Sequence, residues 1–341
     1  MEPDRSGNKT GLRRLVALVL LCLFAGILLL AGGWHELNDG GGEKVGAIVQ
    51  LLQRLSGLDG GRPAPPGEGL LEVHFIDVGQ GEAALILTPQ GRSILIDGGT
   101  AGAGEAVLRY LDEKGVSRID LLVGTHPHED HIGGLVAVLE NIPVSRVIDS
   151  GRIHTSLTYE RYLTLIEEKG IPFELGRAGR RLTLDSTVEL TVLHPGPAVE
   201  SSSLNNSSVV LRLICGEVEF LFTGDIEAEA EGAILERGYR SGAPSLVLQV
   251  AHHGSSSSST AAFLEVVAPD FAVISAGRDN VYGHPHAEVL ERLADAGAAI
   301  YRTDLQGSIV ITTDGGSVAV ECSSGSSGSA GGRKGVSLCG R

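Results

Sequence analysis

The chain has 341 residues, 42% hydrophobic and 20% charged, a soluble globular balance that excludes global disorder and a polytopic membrane protein. That length suits one large domain with appendages. Acids outnumber bases by 42 to 27, for a formal charge of −15, so the overall field repels polyanions and a phosphate group has to be held locally.

In chain order, a polar start with Arg5, Lys9, Arg13 and Arg14 precedes an uncharged apolar run at residues 15–31. With Glu36 and Asp39 beyond it, residues 1–34 read as a signal anchor that leaves the N-terminus in the cytoplasm and the remainder outside. A cleaved signal peptide, and hence a secreted protein, is the alternative. Residues 35–69 read as a flexible linker, with glycines 40–42, a short amphipathic segment through Val45, Ile48, Leu51, Leu52 and Leu55, and a Gly/Pro stretch at 60–69.

From Leu70, short apolar runs alternate with helix-period segments. Strands are predicted at 71–76, 83–87, 93–96 and 121–123, with helices near 105–114 and 134–139. A second series places strands at 188–193, 208–214, 219–222, 245–250, 271–275 and 308–312, with helices near 227–237, 260–267 and 287–296. Mixed strands and helices imply a layered α/β domain. Residues 322–341 form a Gly/Ser-rich tail expected to be disordered. The four cysteines, Cys22, Cys215, Cys322 and Cys339, lie far apart without CxxC spacing and point to neither a thiolate zinc site nor a disulfide-built scaffold. Cys322 and Cys339 could pair outside the cell.

The sharpest signal is Thr125-His126-Pro127-His128-Glu129-Asp130-His131-Ile132-Gly133-Gly134, directly after a predicted strand. Imidazole nitrogen and carboxylate oxygen suit divalent first-row metals, and a loop between strand and helix can aim His126 and His128 one way and Asp130 and His131 another. Gly133 and Gly134 let the following helix approach closely. Asp77 and Asp97 end apolar strands, where a carboxylate can accept the free N–H of a ligating imidazole or cap a turn. Ser255 opens a five-serine run that can bind phosphate oxygens or cap the helix near Thr260.

The HxHxDH segment resembles the signature of the metallo-β-lactamase superfamily of hydrolases. Asp97-Gly98-Gly99, Thr223-Gly224-Asp225 and His252-His253-Gly254-Ser255 extend the likeness. The stretches from Phe75 to Ala83, from Ser275 to Pro285 and from Tyr301 to Gly307 make it most similar to the competence-protein and phosphorylcholine-esterase branches. Glu82 stands where those branches usually have aspartate.

The resemblance implies an αββα sandwich, with two mixed β-sheets flanked by helices, over residues 70–321. It also implies two divalent metal ions, zinc, manganese or iron. His126, His128 and Asp225 are expected at one metal and Asp130, His131, Asp225 and His252 at the other, with His253 as the alternative late histidine. The third histidine of classical lactamases is absent from Ser203-Leu204-Asn205-Asn206-Ser207-Ser208, where this subgroup commonly shows asparagine. Asp130 and His284 are the expected catalytic residues, the second facing the metals. Asp77, Asp97, Asn206, His253, Ser255 and Asn280 are expected around them, in support of the ligands or in contact with substrate. His194, at a strand end, reads as structural.

Two cations bridged by a carboxylate activate water for attack on phosphorus or carbonyl carbon without a serine or cysteine nucleophile. The sequence therefore points to a metal-dependent phosphodiesterase or nuclease. Its substrate is expected to be nucleic acid or a phosphorylated envelope component, held in part by Arg278 and Arg302. A lactam or thioester hydrolase and a non-catalytic, metal-stabilised extracellular binding module are the rival readings. No protein partner is predicted.

Overall fold

Alternation along each apolar run decides which way its side chains face. In β1 (Leu71–Phe75), Leu71, Val73 and Phe75 enter the central core, while His74 points the other way and lies 3.0 Å from the Tyr110 hydroxyl through Nδ1. The structure, a computed structural model, describes residues 69–197, 203–323, 330–332 and 335–337. The apolar run at 15–31 and nearly all of the linker lie outside the described residues. Among the described residues no helix is long and apolar enough to cross a membrane.

Strands β1, β2 (Ala84–Leu87), β3 (Ser93–Ile96), β4 (Leu121–Gly124), β5 (Val147–Asp149) and β6 (Phe173–Leu175) lie side by side in that order in the first sheet. The second sheet holds β7 (Arg181–Leu182), β8 (Glu189–His194), β9 (Val210–Cys215), β10 (Val218–Phe222), β11 (Ser245–Gln249), β12 (Phe271–Ile274) and β13 (Ala299–Arg302), again in order. The chain then returns to the first sheet, where β14 (Ile309–Thr313) pairs antiparallel with β1 and β15 (Val318–Cys322) with β14.

The two sheets share one apolar core. Phe75 of the first and Phe222 of the second stack with ring centroids 6.2 Å apart, among Val73, Ile94, Val123, Leu211 and Val247. Helices α1 (Gly104–Glu113), α2 (Glu129–Asn141) and α3 (Leu157–Glu168) cover the outside of the first sheet, packing Val107, Leu135 and Leu165 with Leu95 and Leu122. Helices α4 (Ala228–Glu236), α5 (Ala261–Val267) and α6 (Ala287–Asp295) cover the second, with Ile234, Phe263 and Leu293 in a core with Leu221 and Leu248. The result is the αββα sandwich.

Several elements differ from the predicted set. β5, β6 and β7 have only two or three residues each, too few for alternation to register. β13 and β15 are also additional. α3 carries a helical spacing in Tyr159, Tyr162, Leu165 and Ile166, and the Ser156 hydroxyl caps it by accepting the Tyr159 N–H at 3.2 Å. α2 begins at Glu129 rather than near Gly134, so Asp130 and His131 sit in its first turn instead of a loop. Acids in a first turn complement the helix dipole, which favours the early start.

In the tail, two three-residue strands, Ala330–Gly332 and Gly335–Ser337, extend the edge of the first sheet beyond β15. Main-chain pairing at a sheet edge requires no core-forming side chains. Cys322 is disulfide-bonded, and Cys215 is free.

Two expected outcomes follow from the packing. A β-carbon on Gly134 would lie 1.9 Å from the Gly98 carbonyl oxygen. Gly134→Ala therefore forces α2 off the turn after β3 and costs about 1–3 kcal/mol, read as a lowered Tm. His74 is buried, and desolvation, followed by Lys114, pushes its imidazole from 6.5 down to about 4. The unfolded chain binds a proton that the folded chain refuses. This contribution is intact above pH 6.5, and about 3 kcal/mol is lost as pH falls to about 4. Urea midpoints at pH 7 and 4.5 should show that His74→Asn removes part of the acid dependence.

Candidate metal centre

Each sheet changes from antiparallel to parallel pairing part-way across, at β3 in the first and at β10 in the second. Parallel neighbours end on one edge, so the segments leaving their C-terminal ends meet there. Asp97 follows β3, the His126–His131 segment follows β4, Asp225 follows β10, and His252 and His253 follow β11. The turn Gly98-Gly99 admits α2 beside β3, because main chain rather than side chain fills the gap.

Asp225 is the meeting point. Its Oδ1 lies 3.2 Å from His131 Nε2 and 3.7 Å from His253 Nε2, and its Oδ2 lies 3.7 Å from His126 Nε2 and 3.8 Å from His252 Nε2. His253 Nε2 is also 3.3 Å from Asp130 Oδ2, and His126 Nε2 is 2.9 Å from His128 Nδ1. Among the described residues three three-residue sets have ligand atoms within 4.8 Å of one another, and two of them meet here: His126, His131 and Asp225, and Asp130, His131 and His253.

A further shell holds these groups in place. Asp97 Oδ2 lies 2.7 Å from His131 Nδ1 and accepts the Thr125 hydroxyl at 2.6 Å, while Oδ1 accepts the Thr125 N–H at 2.8 Å. His131 is therefore oriented with Nε2 toward Asp225. The Ser208 hydroxyl accepts the Asp225 N–H at 3.1 Å and lies 3.3 Å from His126 Nδ1. The Ser275 carbonyl, 2.9 Å from His253 Nδ1, fixes that ring in the same way.

The electrostatics follow from burial among opposite charges. Burial pushes His131 down, but Asp225 and Asp97 outweigh it and hold the imidazole well above the usual histidine range. Burial pushes Asp225 up, but His131 and His253 hold it well below the usual carboxylate range. His126 lies well below the ordinary histidine value through burial and the neighbouring His131. His284 is pushed down to about 4 by burial, then by His253 and His252, and is neutral at neutral pH.

Among the residues expected from sequence, His126, His128, Asp130, His131 and Asp225 converge. The histidine pair differs from expectation: His253, fully buried, joins Asp130 and His131. His252 occupies a more open position, with Nδ1 3.2 Å from Ser257 and 3.8 Å from Glu227. Both histidines have positive φ, 53° and 55°, and this left-handed turn brings both rings to the Asp225 edge, 6.2 Å apart, with His253 inside and His252 on the open side. Side-chain spacing carries no sign of this. Asp97 faces His131, whereas Asp77 is exposed, caps a turn by accepting the Gly79 N–H at 3.1 Å, and is bonded to no imidazole.

Asn206 accepts the Glu227 N–H at 2.8 Å and donates to Glu229 at 3.1 Å, anchoring the start of α4. Its neighbour Asn205, not singled out from sequence, faces the site with Nδ2 3.5 Å from His252 Nε2. Asn280 laces its loop by donating to the Gly277 and His284 carbonyls and accepting the His284 N–H at 3.0 Å, which sets the His284 ring 5.7 Å from that of His252. Ser255 is a buried turn residue whose hydroxyl lies 3.1 Å from that of Ser257. His194 lies 2.8 Å from the Asn206 carbonyl and 3.0 Å from Arg237, in a structural role. Sequence reasoning also passed over Glu82 as a site residue. Its ligand atom lies within 4.8 Å of those of Asp97 and His131, and burial, the largest cause, pushes it up to about 8.

The donor set fits divalent first-row cations: imidazole nitrogens and carboxylate oxygens, with no thiolate. His131 Nε2, His253 Nε2 and Asp225 Oδ1 are buried and have no hydrogen-bond partner among the described residues, the condition of atoms that bind a cation. His126, His128, His131, His253, Asp130 and Asp225 would hold the ions, with His252 on the open face. Asp97→Ala removes the acceptor of His131 and is expected to weaken divalent-ion binding about 10–100-fold by calorimetric titration, while Asp77→Ala leaves it unchanged.

The Metallo-beta-lactamase superfamily model matches residues 76–278. The chain is 33% identical over 264 residues to ComE operon protein 3 of Bacillus subtilis (strain 168), covering 72% of this chain and 33% of that protein. It is 32% identical over 299 residues to competence protein ComA of Neisseria gonorrhoeae, covering 86% of this chain and 38% of that protein. It thus spans between about a third and two fifths of these relatives' length. Among solved structures it is similar to the metallo-beta-lactamase fold protein YhfI from Bacillus subtilis, with 12% identity, a TM-score of 0.46, and coverage of 71% of this chain and 100% of that one. A family match over more than half of the residues, around a centre built from the same signature, means that the chain belongs to the metallo-beta-lactamase superfamily.

Proposed function

We propose that this metal-dependent hydrolase cleaves phosphodiester bonds in nucleic acid or a phosphorylated envelope component, outside the membrane to which residues 1–34 tether it. The observation that carries this reading is the division of Asp225. One carboxylate oxygen faces His131 and His253, and the other faces His126 and His252, as a bridge between two cations requires. When bound, the ions supply Lewis acidity and lower the pKa of water beside the scissile group.

The remaining work falls to the protein. Asp97 and the Ser275 carbonyl keep His131 and His253 aimed inward. Asp130, half-buried beside His253, is available to hold a proton-bearing oxygen of the attacking water in line. His284, neutral on the open side, offers an N–H to a substrate or leaving-group oxygen.

Support for a phosphodiester comes from the neighbouring surface. A cavity of about 410 Å³ lies along the same edge, lined by Asp77, Gln80, Arg278, Asn280, Thr303 and Asp304 among others. Asp304 is held by Arg302 at 2.6 Å, whereas exposed Arg278 makes its hydrogen bond, at 3.2 Å, to a carbonyl and forms no carboxylate pair among the described residues. A guanidinium free of a carboxylate suits a phosphate oxygen.

The full chain, supplied with Mn²⁺ or Zn²⁺, is expected to hydrolyse bis(p-nitrophenyl) phosphate and single-stranded DNA, and not nitrocefin. Chelation or Asp225→Ala should lower the rate by at least about 10³-fold. Binding of a phosphate polymer should weaken as salt rises, and Arg278→Ala should flatten that dependence. Turnover of nitrocefin in place of every phosphodiester would overturn the substrate assignment. Metal binding without hydrolysis of any ester would favour a binding module.

A further inference from the structure

Among the described residues two aromatic side chains are exposed, Phe173 at 39% and Tyr282 at 61%. Phe173 opens β6, which runs parallel to β5 and β4, so it lies at the edge away from the metal centre. Tyr282 lies at the metal edge. Its ring stacks on that of His284, with centroids 5.6 Å apart and planes 22° from parallel, and the His284 ring in turn meets that of His252 at 5.7 Å. His252 Nε2 is 3.8 Å from Asp225 Oδ2, so two ring contacts lead from the metal centre to Tyr282. The imidazole backs one face of the Tyr282 ring and leaves the other to solvent.

The loop that carries the ring is braced from within. Asn280 Oδ1 accepts the N–H groups of Tyr282 at 3.2 Å and His284 at 3.0 Å, and Asn280 Nδ2 donates to the Gly277 and His284 carbonyls. The Tyr282 carbonyl lies 3.3 Å from His286 Nε2. A ring fixed before a ligand arrives loses little conformational freedom on binding. The same loop carries Arg278, which forms no carboxylate pair among the described residues. A flat ring and a guanidinium on one braced loop match a polymer that carries planar groups between its phosphates.

We propose that Tyr282 stacks a nucleobase next to the scissile phosphate and is the specificity-determining residue that selects single-stranded nucleic acid over phosphate polymers without planar groups. A base inside a duplex has both faces covered by its neighbours, so only an unpaired strand can present one to the ring. Glycerol-phosphate or sugar-phosphate envelope polymers offer phosphate but no π face. The inference narrows the phosphodiester reading above and rests on it.

The test compares two labelled strands of equal length on the full chain with Mn²⁺, by hydrolysis rate and by fluorescence anisotropy. One is single-stranded oligodeoxythymidylate. The other is built of tetrahydrofuran abasic units, which keep the phosphodiesters and remove the bases. Wild type is expected to favour the base-bearing strand about 10–100-fold in KM and in affinity. Tyr282→Ala should bring that ratio close to one through KM rather than kcat, while Tyr282→Phe and Tyr282→Trp, which keep a ring, should preserve it. Added salt should weaken binding of both strands and leave their ratio in place.

Equal use of the two strands by wild type would overturn the stacking role, favour an envelope polymer as substrate and leave the hydrolase standing. An unchanged ratio in Tyr282→Ala would overturn it too, as would binding of neither strand. Equal losses on both strands in Tyr282→Ala would show that the ring only supports His284, and would also overturn it. A Tyr282-dependent preference in binding, without turnover of either strand, would uphold the stacking role and overturn the phosphodiesterase reading instead.

Discussion

The buried Asp225 carboxylate, held between imidazoles from both sheets, is the constraint around which the rest of the molecule is arranged. A lone carboxylate with 2% exposure is heavily penalised by desolvation. Its tolerance depends on positive charge close at hand, from histidine protons in the metal-free protein or from cations in the loaded one. The surrounding hydrogen bonds serve that end. Ser208 fixes the Asp225 main chain, Asp97 and Thr125 fix His131, and the Ser275 carbonyl fixes His253. None of these bonds uses an atom needed to grip a cation.

The architecture explains how so many polar groups reach one place without dissolving the core. Each sheet begins as an antiparallel meander and continues as parallel strands, and the change occurs at β3 and β10. Parallel pairing brings successive C-terminal ends to one edge, so the polar segments emerge together while the apolar faces remain sealed between the sheets and under the helices. The same edge carries the Asn280 loop and the cavity lined by Arg278.

Some of the site is bought with main-chain strain. Asp97, His252 and His253 all have positive φ, a conformation that costs a side-chain-bearing residue about 1–3 kcal/mol. The strain at the histidine pair has a geometric return, because consecutive residues of one extended strand would point to opposite faces of the sheet. In the left-handed conformation both imidazoles come to the edge, one facing Asp130 and the other Ser257 and Glu227.

By itself, the sequence determined the chemistry and most of the frame. The HxHxDH segment, the TGD turn and the double histidine are local strings whose residue types state their ligand preference, and the long apolar runs state their strands by period. Tertiary structure alone decided the partners. It selected His253 over His252 for the buried set and turned Asn205 rather than Asn206 toward the site. It also placed Glu82 against Asp97 and His131, and left Asp77 as a turn cap. The physical reason is that ligand type is a property of one side chain, whereas proximity depends on backbone sign, helix start and strand order, which no short stretch of residues encodes.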